Sequence, residues 1–423
     1  TGDYRIYLMS VPVSEHGELV NGGYVEETIE LGDIDSWHFE GVAGHVISLH
    51  AVDVDGAIFA PLIQIFGPDG ALLTSAFDYT VSRIGNLTLP TDGNYTVVVQ
   101  DGDSANDYTY ADTGDYRIYL MSVPVSEHGE LVNGGYIEET IELGDIDTWH
   151  FEGTTGEIIS LHAVDVDGEI FAPLVQIFGP DGALLTSAFD YTVSRIGNLT
   201  LPADGTYTVV IQDGDSANDY TYADTGDYRI YLMSVPVSEH GELVNGGYVE
   251  ETIELGDIDT WHFEGTTGDI ISLHAVDVEG EIFAPLVQVF KPDGTLLTSA
   301  FDYTVSRIGN FALPADGTYT VVIYDGDSAN DYTYADTGDY RIYFLNPPVN
   351  EHGYLVENGY VEEFVDTGDM DAWQFYANSG DTVSIEVSET EVASLAPYAV
   401  LYSPSGTIVS QAVDYSTANI VDL

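Results

Sequence analysis

An acidic loop that occurs three times carries the residue types needed to bind a hard metal ion. Its first copy reads Asp101-Gly102-Asp103-Ser104-Ala105-Asn106-Asp107, and Asp112 follows before the next strand. Calcium takes six to eight oxygen ligands from carboxylates, amides and backbone carbonyls. Alternating side-chain oxygens with a glycine therefore predict a calcium site, although the glycine and glutamate that complete an EF-hand do not follow. The candidate ligands are Asp101, Asp103, Asn106, Asp107 and Asp112, then Asp213, Asp215, Asn218, Asp219 and Asp224, then Asp325, Asp327, Asn330, Asp331 and Asp336.

Three asparagines stand in the Asn-x-Thr pattern that is typical of N-glycosylation. They are Asn86, Asn94 and Asn198. An acceptor of this kind belongs on the surface of a secreted protein. We treat all three as candidate glycosylation sites.

Residue types used in hydrolysis are present, but not with the spacing that catalysis requires. Ser48, His50 and Asp53 have the types of a catalytic triad, yet no nucleophile-elbow sequence surrounds the serine. The His-Glu-x-x-His pattern of metallopeptidases is absent, and the chain has no cysteine. With 72 acidic residues, any two carboxylates can be paired as a glycosidase site. We therefore predict that the protein is not an enzyme.

The tryptophans allow two interpretations. Alternation along the segment Trp37-His38-Phe39 places Trp37 and Phe39 on one face of a strand and His38 on the other. A buried core pair is the interpretation that we favour, and an exposed platform for stacking sugars is the alternative. Gln374 replaces the histidine in the last copy, which speaks against His38 as a base or ligand needed in every copy.

The elements that position these residues are short strands. Segments such as 24–31, 46–52 and 95–99 are rich in β-branched and aromatic residues and mostly alternate apolar with polar positions. Asp-Gly and Gly-Asp pairs such as Asp92-Gly93 separate them and are typical of turns. The sequence therefore predicts an all-β fold, with each unit an antiparallel β-sandwich of jelly-roll type.

The chain repeats itself with a period of 112 residues. The segment Thr1 to Leu8, which includes Tyr4 and Ile6, starts again at Thr113 and at Thr225, and a close version of it starts at Thr337. Units of this length match compact domains rather than the short units of solenoids. The predicted domains are 1–14, a strand that completes a preceding unit; 15–126, 127–238 and 239–350, here called repeats 1, 2 and 3; and 351–423, a truncated and divergent repeat 4.

Five segments in a fixed order resemble a known family. In repeat 1 they are 32–39, 44–49, 65–70, 89–97 and 113–118, which combine turn and strand signals. This order resembles the bacterial pre-peptidase C-terminal domain, and the likeness covers nearly the whole chain. The resemblance implies a secreted β-sandwich that often binds calcium and is appended to secreted hydrolases or repeated in surface proteins. It implies no catalytic residues.

The charge restricts the surroundings and the partners. Seventy-two acidic residues face eight basic ones, for a formal net charge of −64. Such a surface repels nucleic acid and anionic membranes, and it destabilises the compact state unless salt or bound cations screen it. At about 1 M salt the Debye length is only roughly 3 Å. We therefore predict an extracellular or cell-surface protein of a saline environment, with no nucleic-acid partner. Because no apolar run of about 18 residues occurs, we also predict no membrane insertion.

The two ends of the chain suggest how copies join. On the 112-residue period, repeat 4 has no counterpart of strand 319–323 or of strand 340–343, whereas the chain begins with an additional version of the latter. One explanation is that the chain is a piece of a longer repeat protein. The other is that the N-terminal strand, with Tyr4, Ile6 and Leu8, completes repeat 4 of the next copy, head to tail.

These observations predict a structural subunit of an extracellular filament or surface fibre. Near-identical sandwich repeats would be joined by strand complementation and stabilised by cations, with calcium as the expected ion. The alternative is an adhesive or substrate-binding module that holds a cell or an enzyme on a polysaccharide or a protein, with repetition providing avidity.

Overall fold

The computed structural model shows an all-β protein. It describes residues 6–11, 14–54, 59–102, 112–166, 171–214, 224–237, 239–278, 283–326, 336–390 and 395–421. Strands and turns make up these residues, and none of them lies in a helix. The predicted class, tandem antiparallel sandwich-like units, is confirmed. Consistent with this, no described segment forms a helix of the length and apolarity that a membrane span requires.

The strands follow the period of the sequence. Repeat 1 forms β1 (Gly17–Glu18), β2 (Gly23–Ile29), β3 (Asp35–Gly41), β4 (Val46–Asp53), β5 (Pro61–Phe66), β6 (Leu72–Phe77), β7 (Val81–Thr88), β8 (Gly93–Asp101) and β9 (Gly114–Ser122). Repeat 2 forms β10 (Gly129–Glu130), β11 (Gly135–Ile141), β12 (Asp147–Gly153), β13 (Ile158–Asp165), β14 (Pro173–Phe178), β15 (Leu184–Phe189), β16 (Val193–Thr200), β17 (Gly205–Asp213) and β18 (Gly226–Val235). Repeat 3 forms β19 (Gly241–Glu242), β20 (Gly247–Ile253), β21 (Asp259–Gly265), β22 (Ile270–Asp277), β23 (Pro285–Phe290), β24 (Leu296–Phe301), β25 (Val305–Ala312), β26 (Gly317–Asp325) and β27 (Gly338–Leu345). Repeat 4 forms β28 (Ile385–Ser388), β29 (Tyr398–Tyr402), β30 (Ile408–Val413) and β31 (Thr417–Ile420).

Each of the first three repeats builds two sheets around one core. In repeat 1 the five-stranded sheet has the order β1-β3-β8-β5-β6, and the four-stranded sheet has the order β2-β9-β4-β7. The short β1 runs parallel to β3, whereas the other pairs in repeat 1 are antiparallel. Repeats 2 and 3 have the same strand orders. By its contacts the chain divides into two compact units, residues 1–234 and 235–423.

The core lies where alternation along the strands predicts it. The prediction that Trp37 and Phe39 form a core pair is confirmed, because they are only 6% and 3% exposed. They pack with Ile47 and Leu49 of the facing sheet and with Tyr95 of their own sheet. Burial of apolar side chains from both sheets is the main stabilising contribution to such a sandwich.

Repeat 4 differs from the others. Its described strands form only two ladders of two strands, β28 with β31 and β29 with β30. Segment 359–365, which aligns with β2, forms no strand. Val365 is 39% exposed although its counterpart Ile29 is fully buried, and Val387 is 40% exposed where Ala51 is fully buried. Positions that are core in repeat 1 are therefore open to solvent in repeat 4.

The predicted assembly strand at the N-terminus is exposed in the described chain. Ile6 and Leu8 lie in no strand, and they are 82% and 93% exposed. Their copies in β9, Ile118 and Leu120, are buried because they face the core of repeat 1, where β2 and β4 pair with β9 on both sides. In the described part of the chain residues 6–10 form no strand, and their pairing with another copy stays a prediction. Tyr4 lies outside the described residues.

Candidate functional site

Asp101 ends β8 and begins the predicted calcium loop. It lies opposite Pro61 in the pairing of β8 with β5, and the N–H of Gly102 donates to the carbonyl of Ala60 at 2.8 Å. A side chain at position 102 does not fit, because its Cβ would lie 2.3 Å from Cδ2 of Phe77. The glycine of the loop sequence therefore serves the close packing of the chain against β6.

A hydrogen bond ties the two ends of the predicted loop together. Oδ2 of the buried Asp101 accepts the backbone N–H of Asp112 at 3.1 Å. The structure thus brings the first and last predicted ligands of the loop together, and it buries a carboxylate between them. The same bond occurs in the other copies: Asp213 with Asp224 at 3.4 Å, and Asp325 with Asp336 at 3.2 Å.

The middle of each loop lies outside the described residues. This applies to Asp103, Asn106, Asp107, Asp215, Asn218, Asp219, Asp327, Asn330 and Asp331. The described ends supply carboxylate oxygens of the type that calcium prefers. Calcium binding by these loops stays a prediction.

The glycosylation candidates differ in their access to solvent. Asn86 and Asn94 are exposed, on β7 and β8 respectively. Asn198 is half-buried on β16, and its Oδ1 is shielded from solvent. An acceptor amide must be reachable by a large enzyme. Access therefore favours the first two positions, and glycosylation of any of them stays a prediction.

Repeats 1 and 2 share an apolar cluster, which we call the joint. Repeat 1 contributes from β4, β7, β9 and the residue after β9, and repeat 2 contributes from the loop before β12, from β14 and from β17. The buried members are Val46, Val52, Val81, Tyr119, Met121, Val123, Ile146, Phe178 and Val210. All eight residues of β4 are consequently buried, because one face packs in the core of repeat 1 and the other in the joint.

Two polar contacts connect the same surfaces. Nδ1 of the fully buried His50 lies 2.8 Å from the carbonyl oxygen of Gly144. Burial lowers the pKa of His50 to about 3, so the neutral ring donates to that carbonyl. Nη1 of Arg117 donates to Oε2 of Glu142 at 2.8 Å. Repeat 2 is thus held by directional bonds as well as by apolar packing.

The joint also contacts one of the predicted calcium loops. Nη2 of Arg83 in repeat 1 lies 3.4 Å from Oδ2 of Asp213, the first residue of the loop in repeat 2. Both side chains are largely shielded from solvent, at 19% and 2% exposure. An arginine of one repeat therefore neutralises a buried carboxylate of the next repeat.

Repeats 3 and 4, within residues 235–423, meet in the same manner. Nδ1 of His274 lies 2.6 Å from the carbonyl oxygen of Gly368, and Nη1 of Arg341 lies 3.9 Å from Oδ2 of Asp366. Met370 packs against the corresponding apolar cluster. These residues occupy the same positions of the period as those of the joint between repeats 1 and 2. The contact is therefore a repeated feature of the fold.

Each of the first three repeats also contains a network of aromatic and titratable groups. In repeat 2, Nε1 of Trp149 donates to the hydroxyl of Tyr228 at 3.2 Å, and that hydroxyl donates to Oδ2 of Asp147 at 2.5 Å. Oδ1 of Asp147 lies 3.3 Å from Nε2 of His128, whose ring stacks on Trp149. The Asp147 carboxylate raises the pKa of His128, and burial raises that of Tyr228.

Sequence reasoning did not identify the residues of the joint or of this network. Both had a signal in the sequence. β4 carries Val46 and Val52 on the face opposite to Ile47, Leu49 and Ala51, and Glu-His-Gly occurs at 15–17, 127–129, 239–241 and 351–353, at the start of each repeat. Neither signal identifies the partner surface, because the contacting residues are far apart in the chain. His50 and Gly144, for example, are separated by 94 positions.

Comparison with known proteins places the chain in no family. No family model matches the sequence, and no curated protein matches it. Among solved structures, similarity was found to tripeptidyl peptidase 2 at 8% identity and TM-score 0.19, covering 72% of this chain and 32% of that chain. The CUB1-EGF-CUB2 domains of rat MASP-1 match at 9% identity and TM-score 0.15, covering 52% of this chain and 100% of that chain. Scores this low support no conclusion about activity or ligand, and the resemblance to the pre-peptidase C-terminal domain stays a prediction.

Proposed function

We propose that this protein is a structural subunit of an extracellular filament or surface fibre made of docked β-sandwich repeats. The observation that carries the proposal is the repeated joint, in which His50 binds the Gly144 carbonyl and His274 binds the Gly368 carbonyl. One surface of a repeat meets a different surface of the next repeat. A heterologous contact of this kind extends into an open array unless its rotation closes a ring.

Strand exchange between copies is the proposed means of joining them. Ile6 and Leu8 have the sequence of β9 and are exposed, and segment 359–365 has the sequence pattern of β2 and is unpaired. In repeat 1, Val25 of β2 lies opposite Ile118 of β9. The same register between two copies places Ile6 of one copy opposite Val361 of the other. That pairing would also cover core positions of repeat 4.

Cations are the proposed stabilisers of the assembly. Seventy-two acidic residues make self-repulsion the main obstacle to packing copies together. The loops that begin at Asp101, Asp213 and Asp325 present buried carboxylates, and Asp213 adjoins the joint through Arg83. Calcium in these loops would reduce repulsion near the joint. The saline, secreted setting predicted from composition is part of the same proposal.

Engineered cysteines test the proposed register directly. The chain has no cysteine, so a double variant Ile6→Cys with Val361→Cys reports only on this contact. Under oxidising conditions we expect reducible oligomers in ladders on denaturing gels, and filaments by electron microscopy. The matched control pairs Ile6→Cys with Glu362→Cys, which points to the opposite face. Monomers at high protein concentration in salt and calcium, or equal crosslinking in both variants, would refute strand exchange.

A second candidate function, adhesion, is favoured by an exposed aromatic pair. Phe77 ends the edge strand β6 and Tyr79 follows it. Their ring centroids are 5.4 Å apart, and Tyr79 is 66% exposed. The pair recurs as Phe189 with Tyr191 and as Phe301 with Tyr303. Aromatic faces repeated along one chain can stack on sugar rings with avidity. Retention on insoluble polysaccharides that is lost on triple Tyr→Ala substitution at these positions would support adhesion over a purely structural role.

A further inference from the structure

A second type of candidate metal site lies away from the acidic loops, at the first short strand of a repeat. In repeat 2 one ligand atom from each of Glu127, His128 and Asp147 lies within 4.8 Å of the others. The grouping recurs at equivalent positions of repeats 3 and 4, as Glu239, His240 and Asp259 and as Glu351, His352 and Asp371. Unlike the loops, these groups combine an imidazole with two carboxylates.

The imidazole nitrogen is the observation that points to a ligand. Nε2 of His128 is shielded from solvent and has no hydrogen-bond partner, although Oδ1 of Asp147 is only 3.3 Å away. The same holds for His240, with Oδ1 of Asp259 at 3.1 Å. Two ligand atoms that each lie about 2.1 Å from a tetrahedral zinc ion are roughly 3.4 Å apart. The spacing therefore fits two ligands of one ion. In repeat 4 the corresponding Nε2 of His352 and Oδ1 of Asp371 lie 3.1 Å apart and share a hydrogen bond.

The surrounding residues hold these donors in place. Tyr228 donates to the other oxygen of Asp147 at 2.5 Å, which leaves Oδ1 facing His128. The ring of Trp149 stacks on His128 with centroids 4.9 Å apart and planes 24° apart. Nδ1 of His128 faces Oε2 of Glu139 at 3.7 Å. Outer groups that orient a histidine and a carboxylate in this way are typical of metal sites.

From this geometry we propose that Glu127, His128 and Asp147 bind a divalent transition-metal ion of the zinc class, and that their copies do the same. The ion would be held by Nε2 of His128, Oδ1 of Asp147 and Oε2 of Glu127, with water completing the coordination. Imidazole nitrogen with carboxylate oxygen suits zinc, whereas calcium and magnesium take oxygen ligands. Two carboxylates neutralise the charge of the ion. Glu127 is the first residue of repeat 2, so the site lies where the chain enters that repeat.

Metal titration of the full chain tests the proposal. The chain is first stripped with a chelator and then titrated with zinc by calorimetry, in a large excess of calcium that saturates the acidic loops. We expect saturable binding of at least three ions per chain, with proton release near neutral pH because the imidazole must be deprotonated. Nickel should quench the tryptophan fluorescence, since Trp149 stacks on the ligand His128. A chelator should restore the emission.

A pair of variants assigns the binding to these residues. Glu127→Gln should weaken one of the sites at least tenfold and lower the stoichiometry by one, while the melting temperature without metal stays close to that of the wild type. Glu130→Gln removes the same charge from the exposed end of β10 and should bind like the wild type. Absence of saturable zinc binding, displacement of zinc by calcium, or an equal effect of the two variants would overturn the proposal. The cluster would then be an ion pair that holds only a proton.

Discussion

Replacing Gly144 by alanine should open the joint between repeats 1 and 2. Gly144 has a φ of +74°, and a Cβ at this position would lie 2.2 Å from Cγ2 of Val52 in the neighbouring repeat. Gly32 is the matched control in repeat 1. It has a φ of +73°, and nothing lies within 4 Å of its Cβ position. The two substitutions therefore share the backbone strain and differ in the contact across the joint.

The expected loss of stability follows from the backbone strain and from the contact with Val52. An alanine at positive φ costs about 1–2 kcal/mol in either place. The overlap with Val52 adds about 1–3 kcal/mol, as overpacking of a core does, unless the repeats separate and expose the apolar cluster. We therefore expect Gly144→Ala to destabilise the joint by about 2 kcal/mol more than Gly32→Ala destabilises its own loop.

Hydrogen exchange on the full chain measures this locally, because a chain of several domains does not unfold in one step. The N–H of Val123 donates to the carbonyl of Val46 at 3.0 Å within the joint. A loss of about 2 kcal/mol should speed exchange in this segment roughly 30-fold, with the core strand β8 unchanged. Equal exchange in the Gly144→Ala and Gly32→Ala chains would show that the repeats do not dock as described.

Three further predictions concern pH, a buried hydroxyl and calcium. The pKa of His50 is lowered to about 3 in the folded state, whereas an unfolded histidine has a pKa of about 6.5. Below pH 6.5 the unfolded chain therefore binds a proton that the folded chain does not. The free energy of unfolding should consequently fall by about 2 kcal/mol between pH 7 and pH 5. His50→Gln should reduce this dependence in urea unfolding, and an identical pH profile would contradict it. Tyr116→Phe removes the hydroxyl that donates to the buried Asp35 at 2.7 Å and should destabilise repeat 1 by about 1–3 kcal/mol, whereas Tyr79→Phe, on the surface, should leave the thermal transition in place. Chelation of calcium should lower the melting temperature of the wild type and should change that of an Asp101→Asn chain less. An unchanged wild-type melting curve would show that the loops do not bind calcium.

The period and the alternation were enough to predict the fold class. Each copy has the same length and consists of short alternating strands separated by Asp-Gly turns. A sandwich is the arrangement that buries one face of every sheet built from such strands. Trp37 and Phe39 show this well, since their two-residue spacing predicted a core pair and both are buried. Local patterns of this kind are readable because strand geometry alone sets which residues share a face.

The candidate sites were predicted only in part. The spacing within the loop identified Asp101 and Asp112, which the structure joins by a hydrogen bond. Ile6 and Leu8 form no strand within the described chain, and because a strand needs a neighbouring strand, their pairing with another copy stays a prediction. The group of Glu127, His128 and Asp147 was not found, since its members come from β12 and from the turn at β10.

The amino-acid sequence by itself determined the repeat, the all-β class, the positions of the core residues and the extreme negative charge, because each follows from composition or from neighbours a few residues apart. Tertiary structure alone decided how one repeat meets the next and which titratable groups come together. His50 and the Gly144 carbonyl come within 2.8 Å across 94 positions, and Asp147 reaches Tyr228 from a different strand. Such contacts depend on the packing of whole sheets, and no local pattern specifies which surfaces will fit.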